Sequence, residues 1–126
     1  MESTLRAPGG TAVHPTAAAV LLVEDDDRIS EPLIRVLRSE GFEVEHVDAG
    51  LPAIASVVAA CPDLVLLDLT LPDSDGLTTF LRLQPKATHV PIVTLVGPGE
   101  DEGGAEAIAR GALDSLQRDH LRATVV

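Results

Sequence analysis

Short apolar segments alternate with segments of helical periodicity along most of the chain. A continuous apolar run between polar residues predicts a buried strand, and apolar positions three or four residues apart predict a helix. On this basis strands are predicted over residues 18–23, 42–47, 64–67, 91–96 and 112–116. Helices are predicted between them, over residues 30–41, 51–60, 77–83 and 102–110. Strands that alternate with helices predict an α/β fold, in which helices cover both faces of a parallel sheet.

The start of the first helix has two interpretations. Ser30 is a favourable N-cap residue, Glu31 would lie in the first turn, and Pro32 would lie where a missing N–H costs little. Alternatively the helix begins at Asp27, with Pro32 still close to the first turn. Gly41 is expected to end the helix in either case.

The composition restricts the core and the partners. The 126 residues suffice for one domain, and with no Trp, no Tyr and two Phe the core is expected to be aliphatic. The net charge of -11 disfavours contact with nucleic-acid phosphates and anionic membrane surfaces. The longest apolar run, residues 17–23, is far shorter than the ~20 residues that a membrane span requires. We therefore expect a cytoplasmic protein without direct nucleic-acid or membrane binding.

Two further expectations concern the N-terminus and the single cysteine. Residues 1–16 contain Gly, Pro and small polar residues without periodicity, and they are predicted to form a disordered leader before a domain of residues 17–126. Cys61 lies in an apolar segment without CxxC spacing. It is interpreted as a small buried side chain.

Acidic residues follow two of the predicted strands. Glu24, Asp25 and Asp26 follow the first strand, and Asp68 follows the third. The carboxyl ends of parallel strands meet at one edge of the sheet, where open α/β sheets bind their ligands. Carboxylates that converge there repel each other, and a hard divalent cation with oxygen ligands relieves the repulsion. The sequence therefore predicts a Mg²⁺ site.

Four segments, in this order and at this spacing, resemble the receiver domain of bacterial two-component response regulators. They are VLLVEDDDRI at 20–29, PDLVLLDLTLPDSDGL at 62–77, VPIV at 90–93 and GALDSLQR at 111–118. The first half is most similar to regulators in which a winged-helix DNA-binding domain follows the receiver. The resemblance implies a flavodoxin-like (βα)5 three-layer sandwich with five parallel strands in the order 2-1-3-4-5.

The resemblance also implies a set of site residues. Asp68 matches the phosphoacceptor, which receives a phosphoryl group from a sensor histidine kinase or a phosphotransfer protein. Glu24 and Asp25 match the acidic pair that holds Mg²⁺, and the backbone carbonyl of Thr70 matches a further ligand. A slip of one residue would move the pair to Asp25 and Asp26. Mg²⁺ would neutralise the charge of the transferred group. Such a protein is a phosphoacceptor and not an enzyme, with at most Mg²⁺-assisted phosphorylation and dephosphorylation of itself.

Three positions depart from the family pattern and are interpreted as degenerate switch positions. Val96 stands where the family has a Thr or Ser whose hydroxyl bonds the phosphoryl group, and Thr94 lies about 6.6 Å back along the strand. Ser115 stands where the family has an aromatic reporter. Arg118 replaces a lysine, and its planar guanidinium is not an equivalent group. We expect metal binding to survive better than phosphate capture, and phosphate capture better than switching.

The C-terminus leaves little sequence for the fifth helix of the family. Residues 121–126 stand in its place, so this helix is expected to be short or missing. A sheet face left uncovered would favour a homodimer or a companion chain. A truncated product of marginal stability is the simpler explanation.

The sequence is compatible with two functions. The first is a phosphoacceptor signalling domain, and the second is a pseudo-receiver that binds partners regardless of phosphorylation. A flavin-binding or hydrolytic α/β domain lacks support, because the chain contains no GxSxG motif, no Walker motif and no glycine-rich fingerprint after the first strand.

Overall fold

The structure, a computed structural model, describes residues 17–71 and 77–118. Its strands are β1 (Ala19–Val23), β2 (Glu43–Val47), β3 (Leu64–Asp68), β4 (Ile92–Val96) and β5 (Asp114–Gln117). Its helices are α1 (Asp27–Ser39), α2 (Gly50–Ala60), α3 (Thr78–Leu83) and α4 (Asp101–Ala109), and a 3-10 turn over Gln84–Lys86 follows α3. The predicted alternation of strands and helices is confirmed.

The five strands form one parallel sheet in the order β2-β1-β3-β4-β5, as expected. Alternate residues of each strand point to opposite faces. Leu22 belongs to the core on the side of α1, and Leu21 belongs to the core on the side of α2, α3 and α4. The sheet therefore lies between two helical layers, and both cores are almost entirely aliphatic, with Phe80 as the buried aromatic among the described residues.

The limits of β1, β2, β3 and β4 were predicted to within one residue, and those of β5 were predicted less well. β1, β3 and β4 bury both faces and read as continuous apolar runs. The edge strands β2 and β5 carry polar residues and alternate in exposure. In β5 the apolar pattern therefore began the strand two residues too early and ended it one residue too early, over 112–116.

The start of α1 follows the second interpretation. Asp26 is the N-cap residue, and its side chain accepts a hydrogen bond from the Arg28 N–H at 2.9 Å. Ser30 is fully buried inside the helix and is not the cap. Pro32 lies in the helix interior, beyond the first turn.

Cys61 corrects a second expectation. The residue is exposed, not buried. It ends α2 in the left-handed conformation with φ 46°, and its N–H donates to the Val57 carbonyl oxygen at 3.1 Å. The apolar segment around it belongs to a helix, and Cys61 lies at the exposed end of that helix.

Some sequence-based expectations lie outside the described residues. These are the disordered leader over residues 1–16 and the short or missing fifth helix over residues 121–126. Within residues 17–71 and 77–118, no helix combines the length and hydropathy required to cross a bilayer.

Candidate functional site: an acidic cluster at the carboxyl edge of the sheet

Parallel register brings the acidic residues to one edge of the sheet. Val23 of β1 pairs with Leu67 of β3, so Glu24 and Asp68 follow side by side at the ends of two adjacent strands. The carboxylates of Glu24, Asp25 and Asp68 each place an oxygen within 4.8 Å of the others. We call these three residues the acidic cluster. Glu24 and Asp68 are fully buried, whereas Asp25 is exposed, so the cluster can be reached from solvent on one side.

Backbone hydrogen bonds hold the two buried carboxylates in place. The Thr70 N–H donates to Asp68 Oδ1 at 2.9 Å, and the Asp26 N–H donates to Glu24 Oε2 at 3.2 Å. His46 Nε2 donates to the Glu24 carbonyl oxygen at 2.7 Å and ties β2 to the same edge. The hydrogen bond from the Thr70 N–H thus places Thr70 next to Asp68.

The second oxygen of each buried carboxylate has no hydrogen-bond partner among the described residues. These atoms are Glu24 Oε1 and Asp68 Oδ2. Buried carboxylate oxygens without donors are costly, and a hard cation with oxygen ligands satisfies them. The residues present therefore fit a divalent cation such as Mg²⁺.

The electrostatics of the acidic cluster favour protonation when no cation is bound. Burial, and after it the neighbouring charge of Glu24, raise the pKa of Asp68 to about 8, although the Thr70 N–H and Arg118 oppose the shift. Burial also raises the pKa of Glu24. A cation that binds here has to displace a proton, so its affinity depends on pH.

Asp26 belongs to a different set of contacts. Its carboxylate caps α1 and pairs with the Arg28 guanidinium at 2.9 Å, and these hydrogen bonds hold the pKa of Asp26 below its usual value. The alternative pairing of Asp25 with Asp26 therefore has less geometric support than Glu24 with Asp25. Among the described acids, the cluster contains Asp25 and not Asp26.

Arg118 extends from the end of β5 into the acidic cluster. Its guanidinium lies 3.2 Å from Glu24 Oε2, 3.7 Å from Asp26 Oδ2 and 3.8 Å from Asp68 Oδ1. The side chain is 17% exposed, so the contacts are poorly screened by water. Arg118 is thus a tethered cation next to Asp68.

The other two departures from the family pattern lie beside the cluster. Val96 ends β4, is buried and offers no donor. The Thr94 hydroxyl donates to the Asp114 carbonyl oxygen at 3.5 Å, so it is directed toward β5. Ser115 packs against α4 so closely that a Cβ on Gly104 would overlap Ser115 Oγ and approach Val96 Cγ1 to 3.3 Å. An aromatic side chain at position 115 would have no room on this side.

One residue of this edge, Glu100, was not among the site residues predicted from the sequence. Glu100 Oε1 accepts a hydrogen bond from the Gly97 N–H at 2.6 Å, and Glu100 Oε2 accepts one from the Thr70 hydroxyl. The available signal was the acid three residues after Gly97, since a polar side chain in a tight turn often bonds a nearby backbone group.

Comparison with known proteins agrees with this geometry. Residues 20–125 match the response regulator receiver domain family. The chain is 38% identical over 101 residues to a protein-glutamate methylesterase/protein-glutamine glutaminase of Anaeromyxobacter dehalogenans, covering 79% of this chain and 29% of that protein. It is 34% identical over 99 residues to the cell cycle transcriptional regulator CtrA of Caulobacter vibrioides, covering 79% of this chain and 43% of that protein.

A solved structure gives the same result. The receiver domain of NtrX from Brucella abortus superposes with a TM-score of 0.73 at 30% identity, covering 83% of this chain and 92% of that one. The chain spans less than half of the length of the curated relatives above, and the shared part is the receiver region. With its strand order and the acidic edge of its sheet, the chain belongs to the response regulator receiver domain family.

Proposed function

We propose that Asp68 accepts a phosphoryl group from a sensor histidine kinase or a phosphotransfer protein in the cytoplasm. The observation that carries the proposal is the convergence of the acidic cluster, in which two buried carboxylates each keep one oxygen without a partner. In this proposal Glu24, Asp25 and Asp68 hold Mg²⁺ together with the backbone carbonyl of Thr70. Bound Mg²⁺ would neutralise charge on the transferred group.

Three residues of the chain would carry out the phosphoryl transfer itself. The Thr70 N–H holds Asp68 Oδ1 and leaves Asp68 Oδ2 as the free oxygen. One carboxylate oxygen of Asp68 would attack phosphorus and form a P–O bond, while the bond from phosphorus to the donor's imidazole nitrogen breaks and its electron pair stays on that nitrogen. Arg118, 3.8 Å from Asp68 Oδ1, would stabilise negative charge on the phosphoryl oxygens.

The signal would pass on through protein contacts, with a weaker switch than in receivers that keep the family residues. Val96 cannot donate to the phosphoryl group, and Ser115 cannot act as an aromatic reporter. A ligand shifts a conformational equilibrium only by its differential affinity for the two states. A homodimer or a companion chain is the second kind of partner in this proposal.

Intact mass after incubation with acetyl phosphate and Mg²⁺ tests the proposal. We expect wild type to gain the mass of one phosphoryl group, and Asp68→Asn to gain none. Asp48→Asn removes an exposed carboxyl and serves as the matched control, which should be phosphorylated like wild type. Absence of uptake in wild type, or equal uptake in Asp68→Asn, would exclude Asp68 as the acceptor. A pseudo-receiver would take up no phosphoryl group, and its binding to a partner would not depend on the phosphodonor.

A further inference from the structure

The Glu100 carboxylate joins the loops that follow β3 and β4. Its two oxygens accept from the Gly97 N–H, at 2.6 Å, and from the Thr70 hydroxyl. Glu100 is half-buried and Gly97 is buried, so the hydrogen bond between them is partly shielded from water, whereas the hydrogen bond to Thr70 is exposed. A carboxylate that accepts two such bonds forms charge-assisted contacts, which are stronger than neutral ones.

This carboxylate lies at the same edge as Asp68. The Thr70 N–H bonds Asp68 Oδ1, while the Thr70 hydroxyl bonds Glu100. Arg118 Nη1 is 3.8 Å from Asp68 Oδ1, and it is also 3.8 Å from the position that a Cβ on Gly97 would take. The Arg118 guanidinium thus lies next to Asp68 and next to Gly97, whose N–H donates to Glu100.

A phosphoryl group on Asp68 would need hydrogen-bond donors for its oxygens. Val96 provides none, and the Thr94 hydroxyl is directed toward β5. Two donors of the neighbouring loops, the Gly97 N–H and the Thr70 hydroxyl, are already bonded to a negative group. An incoming phosphoryl group and the Glu100 carboxylate would also repel each other.

We infer that Glu100 is an internal anion that occupies donors of the phosphoryl site and has to leave when Asp68 is phosphorylated. This inference rests on the proposed function of Asp68. Glu100 is the residue that directly precedes α4, and Gly99 before it has φ +82°, a conformation in which glycine is favoured. Release of Glu100 would therefore alter the start of α4 and report phosphorylation without the hydroxyl at position 96 or the aromatic at position 115.

The test compares Glu100→Gln and Glu100→Ala with wild type and with Glu102→Gln, which removes an exposed acid two residues away. Titration with beryllofluoride in the presence of Mg²⁺ measures the affinity of the phosphoryl site. Both Glu100 variants are expected to bind about tenfold more tightly than wild type, since each loses a charged competitor for the donors. Glu102→Gln should stay within about twofold of wild type.

Amide hydrogen exchange of Gly97 provides a readout that does not depend on phosphorylation. Without beryllofluoride, Glu100→Ala should exchange this amide faster than wild type, and added beryllofluoride should slow it again. Equal affinities in wild type and both Glu100 variants would overturn the inference while leaving the proposed function intact. If Glu100→Ala binds beryllofluoride more tightly than wild type and Glu100→Gln does not, the result supports the inference. If neither wild type nor Glu100→Ala binds beryllofluoride, the proposed function fails, and the inference fails with it.

Discussion

Replacement of Asp68 by Asn is expected to stabilise the metal-free protein at neutral pH. Burial and the nearby Glu24 raise the pKa of Asp68 to about 8, whereas an Asp in an unfolded chain has a pKa of about 3.9. Between these values the folded state keeps a proton that the unfolded chain has released, so stability falls as pH rises. Asn is neutral at every pH and similar in size, so the variant avoids this cost.

The magnitude follows from the size of the pKa shift. One pKa unit corresponds to about 1.4 kcal/mol, so a single such group lowers the free energy of unfolding by about 1.4 kcal/mol per pH unit between pH 4 and pH 8. From pH 5 to pH 7 the wild type should therefore lose about 3 kcal/mol that Asp68→Asn keeps. The loss should be complete near pH 8, where folded Asp68 ionises.

Urea denaturation in the presence of a chelator, at several pH values, measures this difference. Circular dichroism is the suitable signal, because the chain has no Trp and no Tyr. Asp48→Asn controls for the loss of one exposed carboxylate and should follow wild type. Saturating Mg²⁺ should remove the decline with pH in wild type, because the cation favours the ionised carboxylates. A wild-type stability that is flat or rises between pH 5 and pH 7 without Mg²⁺ would refute the reasoning.

Two more substitutions test the surroundings of the acidic cluster. Arg118→Met should lower the free energy of unfolding of the metal-free protein at pH 7.5 by about 1–3 kcal/mol, because the buried carboxylates lose a neighbouring cation. The same substitution should tighten Mg²⁺ binding several-fold, as measured by calorimetry. An unchanged Mg²⁺ affinity would contradict this expectation. Gly104→Ala should cost about 1–3 kcal/mol through overlap with Ser115. Gly103→Ala is its matched control, since the added Cβ would lie 3.6 Å from Leu69 Cδ1, and thermal melts should show it as stable as wild type or more so. Equal melts for the two alanine variants would disprove the overlap.

The central part of the fold could be predicted because its residues obey a simple pattern. β1, β3 and β4 bury both faces, so their sequences are continuously apolar, and the acids that follow β1 and β3 had to meet at the carboxyl edge of a parallel sheet. The convergence of acids from these two strands therefore followed from the strand order that the resemblance implies, and the choice of Glu24 and Asp25 over Asp26 rested on the matching motif.

The missed features depend on contacts that no local pattern specifies. Ser30 and Asp26 are both good N-cap residues, and burial of Ser30 in the folded protein decides between them. Glu100 bonds Thr70 across 30 residues of sequence, and that pairing exists only after β3 and β4 are adjacent. Cys61 resembled a core residue because its neighbours are apolar, but it lies beyond the last turn of α2.

The position of Cys61 has a practical consequence for experiments. It precedes β3 at the amino edge of the sheet, and the acidic cluster lies at the opposite edge, a strand of five residues or about 17 Å away. As the chain's single cysteine, this exposed thiol can be coupled selectively to a dye or a solid support. An immobilised protein would then present the carboxyl edge of the sheet, which carries the acidic cluster and Glu100, in one uniform orientation to any phosphodonor or binding partner that flows past.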